Sequence, residues 1–206
     1  MYKFCRFLPF FLFFGVVVSG NANDCLSYKI KPKIVINVPE YNVNVIQSQK
    51  PMNLLHGNVV ATLVNNYDII VDITPVNDGY CVSIKGIDAT IGYNDFLIKI
   101  NKLHKPQTCS YNAIVSHENK HIDAYLSVID DNKNELYKSL YSAADSIIPV
   151  FVNNKEDVDG AIEKLNNELQ SHPDIILIIQ KIHADEEIKN KYIDRQEDYT
   201  ELKKCL

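Results

Sequence analysis

Two patterns of hydrophobic and polar residues divide the chain. Over residues 28–102, apolar and polar positions alternate in short runs rich in Val, Ile, Tyr and Thr, which is the two-residue period of half-buried strands. From residue 107 onward the apolar positions recur with a period near 3.6, and Gly160 is the only glycine, so helices are expected. The change of pattern predicts an α+β chain with a strand-rich half, 23–105, and a helical half, 106–206.

The strand-rich half is predicted to form a twisted antiparallel sheet. The Asp-Gly step in Asn77-Asp78-Gly79 is typical of a two-residue hairpin turn, and Asn65-Asn66 marks a second predicted turn. Hairpins join neighbouring strands that run in opposite directions, so an antiparallel arrangement is expected. The candidate strands are 33–38, 41–45, 59–64, 67–73, 80–85 and 96–100.

The helical half is predicted to contain three helices. The first covers 111–141 and is either continuous or broken near Asp130, the second ends near Gln170, and the third covers 174–191. With no internal repeat and no low-complexity linker, the pattern indicates a single domain, 23–206. One apolar stripe of the third helix is formed by Ile175, Ile176, Ile179 and Ile182.

The N-terminus has the layout of a signal peptide. Lys3 and Arg6 precede an unbroken apolar run, 7–18, and small residues that end in Ala22 follow it, so cleavage is predicted after Ala22 and residues 1–22 form the leader. The apolar run is shorter than the roughly 20 residues that span a bilayer. We therefore expect an exported protein, periplasmic or secreted, that meets a membrane only through the leader if the leader stays uncleaved.

The cysteine count agrees with export. The chain has five cysteines, and removal of the leader takes away Cys5 and leaves four. An even number of cysteines in an exported chain favours disulfides over free thiols. Four cysteines allow three pairings, of which we expect Cys81 with Cys109 and Cys25 with Cys205.

The charge balance argues against one class of partner. The chain has 26 acidic and 21 basic residues and a formal net charge of −5. A protein without an excess of Lys and Arg cannot displace the counterions of a phosphate backbone, so nucleic acid is not an expected partner.

The segment His117-Glu118-Asn119-Lys120-His121 carries the most chemical information. Two histidines four residues apart on a helix lie on one face, as two zinc ligands require. Zinc lowers the pKa of a water in its open position to about 7, and a neighbouring carboxylate can accept that proton. The H-E-x-x-H pattern is the signature of zinc metallopeptidases of the zincin type. It predicts Zn²⁺ as the cofactor, Glu118 as the catalytic base, and peptide hydrolysis by a zinc-bound water.

The segment around this motif resembles a known family. Residues 109–123, CSYNAIVSHENKHID, are similar to the core of an uncharacterised family of bacterial exported proteins predicted to be zinc-dependent proteases. The other shared features are a leader, a strand-rich first half, a Cys shortly before the helix and an Asp two residues after the second His. The resemblance implies a zincin-like fold with His117 and His121 on zinc and Glu118 as the base, and it implies no particular substrate.

The third zinc ligand is left open. The longer pattern H-E-x-x-H-x-x-G-x-x-H is absent, because Ala124 and Ser127 occupy its Gly and His positions. The chain therefore resembles gluzincins more than metzincins, and this resemblance implies that the third zinc ligand is a Glu on a later helix. Glu186 is the first choice and His183 the alternate, because an inward polar pair on an apolar stripe needs a partner such as a metal. The other candidates are Asp123, Glu163, Glu168, Asp194 and Glu197.

Roles for the other polar residues near the motif also stay open. Tyr125 lies one turn beyond the second motif histidine, where it is either a hydrogen-bond donor to an oxyanion or part of the core. The remaining histidines, His56, His104 and His172, have turn-like surroundings and are predicted at the surface.

Two functions of different classes fit these observations. The first is an exported zinc peptidase acting on a peptide, a protein or a cell-wall peptide, with the substrate bound in extended form along an exposed sheet edge. The second is a non-catalytic periplasmic or envelope-associated binding protein in which the histidine pair is vestigial or holds a structural metal.

Overall fold

The structure is a computed structural model that describes residues 22–48, 56–195 and 203–205. Residues 1–21 of the predicted leader and the candidate Glu197 lie outside these residues. The chain is α+β, with most of the sheet first and the helices later. The elements are a 3₁₀ helix Ala22–Tyr28, β1 Lys33–Asn37, β2 Asn42–Gln47, β3 Gly57–Val76, β4 Gly79–Ile100, α1 Cys109–Ser146, β5 Val150–Val152, a 3₁₀ turn Lys155–Asp157, α2 Val158–Gln170 and α3 Pro173–Arg195.

The sheet is built around the long strand β4. Along one edge β4 pairs with β3 in the antiparallel direction. Along the other edge it pairs antiparallel with β5 and parallel with β1 and β2. The predicted antiparallel sheet is therefore wrong, because β1 and β2 both run parallel to β4. The alternating pattern gives the two faces of each strand and carries no information about which strands become neighbours, so it could not reveal these parallel pairings.

The predicted hairpin turn is confirmed, and the turn predicted at Asn65-Asn66 is wrong. The hairpin loop consists of Asn77 and Asp78, between the ends of β3 and β4. Asn65 and Asn66 instead lie inside β3 and pair with β4, close to a register shift between Ala61 and Leu63. A bulge locally disrupts the ladder while the strand continues, so polar residues next to one resemble a turn in the sequence.

Helix α1 is continuous over 38 residues, about 57 Å, so of the two alternatives the unbroken helix is correct. The buried Asn132 explains why a polar residue is tolerated there. Its Nδ2 donates to the Val128 carbonyl at 3.0 Å and to Asp185 Oδ2 at 3.0 Å, and its Oδ1 accepts from the Lys181 ammonium. The polar groups of Asn132 are thus satisfied between α1 and α3, as burial requires.

The core lies between β4 and the helices. The side chains on the inner face of β4 are almost fully buried, and α3 packs antiparallel along α1. The predicted stripe of α3 is partly correct: Ile175 and Ile182 are buried and Ile179 partly so, whereas Ile176 is 45% exposed. None of the helices formed by the described residues is long and apolar enough to cross a membrane. The buried inner face of β4 consists of Ile87, Ala89, Ile91, Tyr93, Phe96, Ile98 and Ile100.

Two disulfides are present, with a pairing that differs from the predicted one. Cys25 is bonded to Cys81 and Cys109 to Cys205, with Cα–Cα distances of 5.4 Å in each pair. The predicted pairing of Cys81 with Cys109 is wrong because β4 carries the chain away from Cys81 over roughly 60 Å of strand before α1 begins. The disulfides instead join the first 3₁₀ helix to β4 and the start of α1 to the C-terminal segment.

Candidate metal centre

The two motif histidines point towards one another and towards the end of a second helix. His117 and His121 are buried on α1, with 7% and 9% exposure, and their Nε2 atoms are 3.2 Å apart. Asp194, in the last turn of α3, places its Oδ1 3.1 Å from His121 Nε2 and 3.5 Å from His117 Nε2. Within the described part of the chain, these three side chains form a group that could hold a metal ion, with ligand atoms that all lie within 4.8 Å of one another.

The three ligand atoms have the spacing of a metal site. In a tetrahedral zinc site with bonds of about 2.0–2.1 Å, any two ligand atoms lie about 3.3–3.4 Å apart. The distances of 3.1, 3.2 and 3.5 Å between the two Nε2 atoms and the Asp194 Oδ1 therefore match one face of such a tetrahedron. The residues present fit a metal ion, and the His117–His121–Asp194 group can hold one.

Asp194 stands where Glu186 was expected. Both lie on the face of α3 that contacts α1, with Asn190 between them at four-residue spacing. Asp194 was among the other candidates left open by the sequence, and it lies two turns beyond the first choice. The Glu186 carboxylate instead accepts a hydrogen bond from the Tyr93 hydroxyl at 2.7 Å. The alternate, His183, lies beside Glu186 at 3.4 Å from its Oε2 and is not in the metal group.

Glu118 is held in a dry position beside the histidines. Its exposure is 4%, and it has no hydrogen-bond partner among the described residues. Burial raises the pKa of Glu118 to about 7; nearby His121 opposes this rise and the carboxylate of Asp194 adds to it. Such a carboxyl is poised to exchange protons near neutral pH.

Gly57, the first residue of β3, is a site residue that the sequence analysis did not select. A Cβ at this position would lie 2.7 Å from Glu118 Oε1 and 2.6 Å from Ile114 Cγ2. Glycine therefore allows the backbone of β3 to approach α1 directly over the buried carboxyl. The available signal was a lone glycine at the start of an alternating run, which by itself does not distinguish a close approach from a turn.

These residues surround a pocket of about 420 Å³ between the start of β3, α1 and the end of α3. Within it, Asn190 Oδ1 lies 2.8 Å from His121 Nδ1 and orients that ring. Asn190 is a second residue that the sequence analysis missed, because its role depends on how α3 packs against α1. The lining residues are Gly57, Asn58, Val59, His117, Glu118, His121, Tyr125, Asn190 and Asp194.

The other predicted candidates lie away from this pocket. Asp123, Glu163 and Glu168 do not belong to the metal group. The predicted surface position of His104 is wrong, because this residue is only 7% exposed and its Nε2 lies 3.1 Å from His56 Nδ1. Burial lowers the pKa of His104, and the neighbouring His56 lowers it further.

Ser146 and His172 line a second, larger cavity of about 770 Å³ next to the end of α1, and Asp174 Oδ2 lies 4.0 Å from His172 Nδ1. The backbone N–H of Asp174 donates to His172 Nδ1 at 3.2 Å, so the proton of the neutral ring is on Nε2, which donates to Ser146 Oγ at 2.9 Å. The Ser146 hydroxyl in turn donates to the Ala143 carbonyl at 2.8 Å. His172 therefore donates a hydrogen bond to the serine. An activated serine nucleophile needs the opposite arrangement, in which the histidine accepts the hydroxyl proton.

Comparison of the chain with protein-family models, with curated proteins and with solved structures finds no match. The resemblance of residues 109–123 to predicted exported proteases therefore stays a prediction. The functional argument has to be made from the geometry of the site.

Proposed function

We propose that this protein is an exported zinc-dependent peptidase. His117, His121 and Asp194 would hold the metal, and Glu118 would act as the general base. The observation that carries the proposal is the triangle of three ligand atoms beside a buried carboxyl, all opening on one pocket. Two imidazoles and one carboxylate are a donor set that suits zinc, and three protein ligands leave a fourth position open, as in catalytic zinc sites. The two disulfides are consistent with an extracellular location.

The residues of the pocket divide the chemistry between them. A bound zinc would supply a Lewis acid and an acidified water. Glu118 would accept a proton from the attacking water and return it to the amide nitrogen as the C–N bond breaks. Its buried position beside the histidines, facing the same pocket, supports this role.

The edge of β3 supports peptide binding next to the metal group. Among the described residues β3 pairs only with β4, so no described strand pairs with its other edge. Its first residues, Gly57 to Val59, line the pocket. An extended peptide added to this edge would form main-chain hydrogen bonds and bring a carbonyl group to the pocket. A protein or a cell-wall peptide are both substrates of this kind.

Exposed apolar side chains favour a second candidate function, a non-catalytic envelope-associated binding protein. Such a surface on β1, β2 and their connection suits contact with another protein. In that case the metal is structural and Glu118 has no catalytic task. The side chains in question, each 37–48% exposed, are Val35, Val38, Tyr41, Val43, Val45 and Ile46.

The test combines metal content with hydrolysis. We expect one equivalent of zinc in the purified mature protein by elemental mass spectrometry, and its loss in the His117→Ala, His121→Ala double variant. Glu118→Gln should keep the zinc and lose hydrolysis of fluorescein-labelled casein, whereas the control Glu186→Gln, outside the metal group, should keep both. Full activity in Glu118→Gln would contradict the assignment of the base. Bound zinc without hydrolysis of casein or of purified peptidoglycan would favour the binding protein.

A further inference from the structure

The two disulfides differ in their access to solvent. Both residues of the Cys25–Cys81 pair are buried, with 0% and 1% exposure. In the Cys109–Cys205 pair, Cys109 is exposed and Cys205 is half-buried. A disulfide is reduced when a thiolate attacks one of its sulfur atoms directly, so access decides which bond reacts. A thiol in solution should therefore reduce Cys109–Cys205 and leave Cys25–Cys81 intact.

The exposed disulfide joins the two chain segments that carry the metal group. Cys109 is the first residue of α1, about two turns before His117, and Asp194 supplies the third ligand atom near the end of α3. Cys205 lies eleven residues after Asp194 in the chain. The disulfide thus ties the chain beyond Asp194 back to the helix that carries both histidines.

The half of α3 that carries Asp194 has little apolar packing of its own. The buried residues of this helix end at Ile182, and no residue of its described stretch 183–195 is buried. Asp194 therefore lies about 18 Å along the helix axis from the last buried side chain of α3. A helix end without buried anchors opens locally at low free-energy cost.

The contacts between this half of α3 and α1 include exposed polar pairs. Lys189 Nζ lies 2.6 Å from Asp131 Oδ2 and 2.7 Å from Ser127 Oγ, and the Asp131 side chain is 64% exposed. Ion pairs at such a surface stabilise little, because water and salt screen them. A cross-link adds to these contacts in another way, since closing the chain into a loop removes conformational freedom from the frayed state. The disulfide therefore favours the state in which the end of α3 is in place.

We propose that the Cys109–Cys205 disulfide is a redox-sensitive clamp that keeps Asp194 at the two histidines, so that its reduction lowers the affinity of the metal group for zinc. This inference rests on the metal site of the proposed function. The reductant is a dithiol, which gives up two electrons and two protons as its own sulfur atoms form a disulfide. The Cys109–Cys205 S–S bond breaks, and two cysteine thiols form. The end of α3 then frays, and zinc is bound tightly only in the oxidised protein.

The test compares the zinc affinity of the full-length mature protein in its two redox states. Dithiothreitol without denaturant, followed by iodoacetamide, should alkylate Cys109 and Cys205 only, as peptide mapping can verify. After both reagents are removed, competition with a zinc-binding dye should give a Kd about 10-fold higher than in untreated protein, as when the site is assembled in about a tenth of the molecules. The Cys109→Ser, Cys205→Ser double variant should match the alkylated protein. The control, wild type treated with iodoacetamide alone, should keep its Kd.

Hydrogen exchange on the metal-free protein tests the clamp without zinc. Exchange of the amides in 183–195 should be about 10-fold faster in the double variant than in wild type, with the first half of α3 unchanged. Faster exchange throughout the helices would overturn a clamp specific to the metal group.

Three further outcomes separate this inference from the proposed function. An unchanged zinc Kd, or resistance of Cys109–Cys205 to dithiothreitol, would overturn the inference alone. If the zinc Kd rises on reduction and the oxidised protein does not cleave casein, the clamp stands and the peptidase function fails. A wild type that binds no zinc would overturn both.

Discussion

The buried carboxyl of Glu118 should make the metal-free protein less stable as the pH rises. Its pKa is raised from 4.5 to about 7, chiefly by burial. A raised pKa means that folding favours the protonated form. The stabilisation is complete below pH 4.5 and is lost as the pH rises through about 7. Raising the pKa from 4.5 to about 7 corresponds to about 3 kcal/mol, and the 4% exposure of this residue leaves little solvent to reduce this free energy.

The Glu118→Gln variant makes this pH-dependent loss of stability measurable. The amide has the same shape and no charge at any pH, so its free energy of unfolding, relative to wild type, should increase by about 3 kcal/mol between pH 4.5 and pH 8. Urea unfolding at five pH values, with a chelator present and the disulfides intact, gives this quantity directly. The control Glu187→Gln should show the opposite trend, since Lys191 lowers the pKa of that exposed carboxyl and the stabilisation is lost as the pH falls. A difference between Glu118→Gln and wild type that is constant with pH would refute the reasoning.

Three further predictions follow from other parts of the fold. His104→Gln should reduce the loss of stability on acidification below pH 6.5, measured by thermal melts at pH 7 and pH 5, because burial lowers the pKa of His104 and its protonation opposes folding. Gly57→Ala should cost about 1–3 kcal/mol in urea unfolding, since its Cβ would lie 2.6 and 2.7 Å from side-chain atoms of α1; Gly160→Ala, with open space in α2, should instead stabilise by about 0.5–1 kcal/mol. Peptide mapping without reduction should recover Cys25 joined to Cys81, and a peptide joining Cys81 to Cys109 would contradict the fold.

The sequence was informative wherever one element alone decides the outcome. The three helices and the Asn77-Asp78 turn follow from local period and turn chemistry, and the pairing of His117 with His121 follows from helix geometry. Properties that depend on two elements were not accessible in this way. The parallel pairing of β1 and β2 with β4 depends on where the chain crosses the sheet, and local alternation is the same for either direction.

The choice of the third ligand on α3 is the clearest example of a property that depends on two elements. The stripe of α3 identifies the face that meets α1, yet sliding one helix along the other by two turns leaves that face unchanged. The register is fixed by contacts between the helices: Lys189 Nζ lies 2.6 Å from Asp131 Oδ2, and Asn132 Nδ2 lies 3.0 Å from Asp185 Oδ2. These pairings place Asp194 at the histidines. Each of them joins residues more than 50 positions apart, so no local sequence pattern could predict them.

The buried carboxyl of Glu118 lowers the stability of the metal-free protein, and a purely structural role of the pocket does not explain why it is there. Glu118 is desolvated without a hydrogen bond from any described residue, and two imidazoles face each other through Nε2 atoms 3.2 Å apart. Burial of Glu118 destabilises its ionised form in the metal-free protein, since buried polar groups normally have partners. A cation bound by the imidazoles and Asp194 would turn their convergence into attraction, and a water in the pocket would give the carboxylate its missing donor. A buried carboxyl next to a group that can hold a metal ion is the arrangement that the proposed peptidase function would explain.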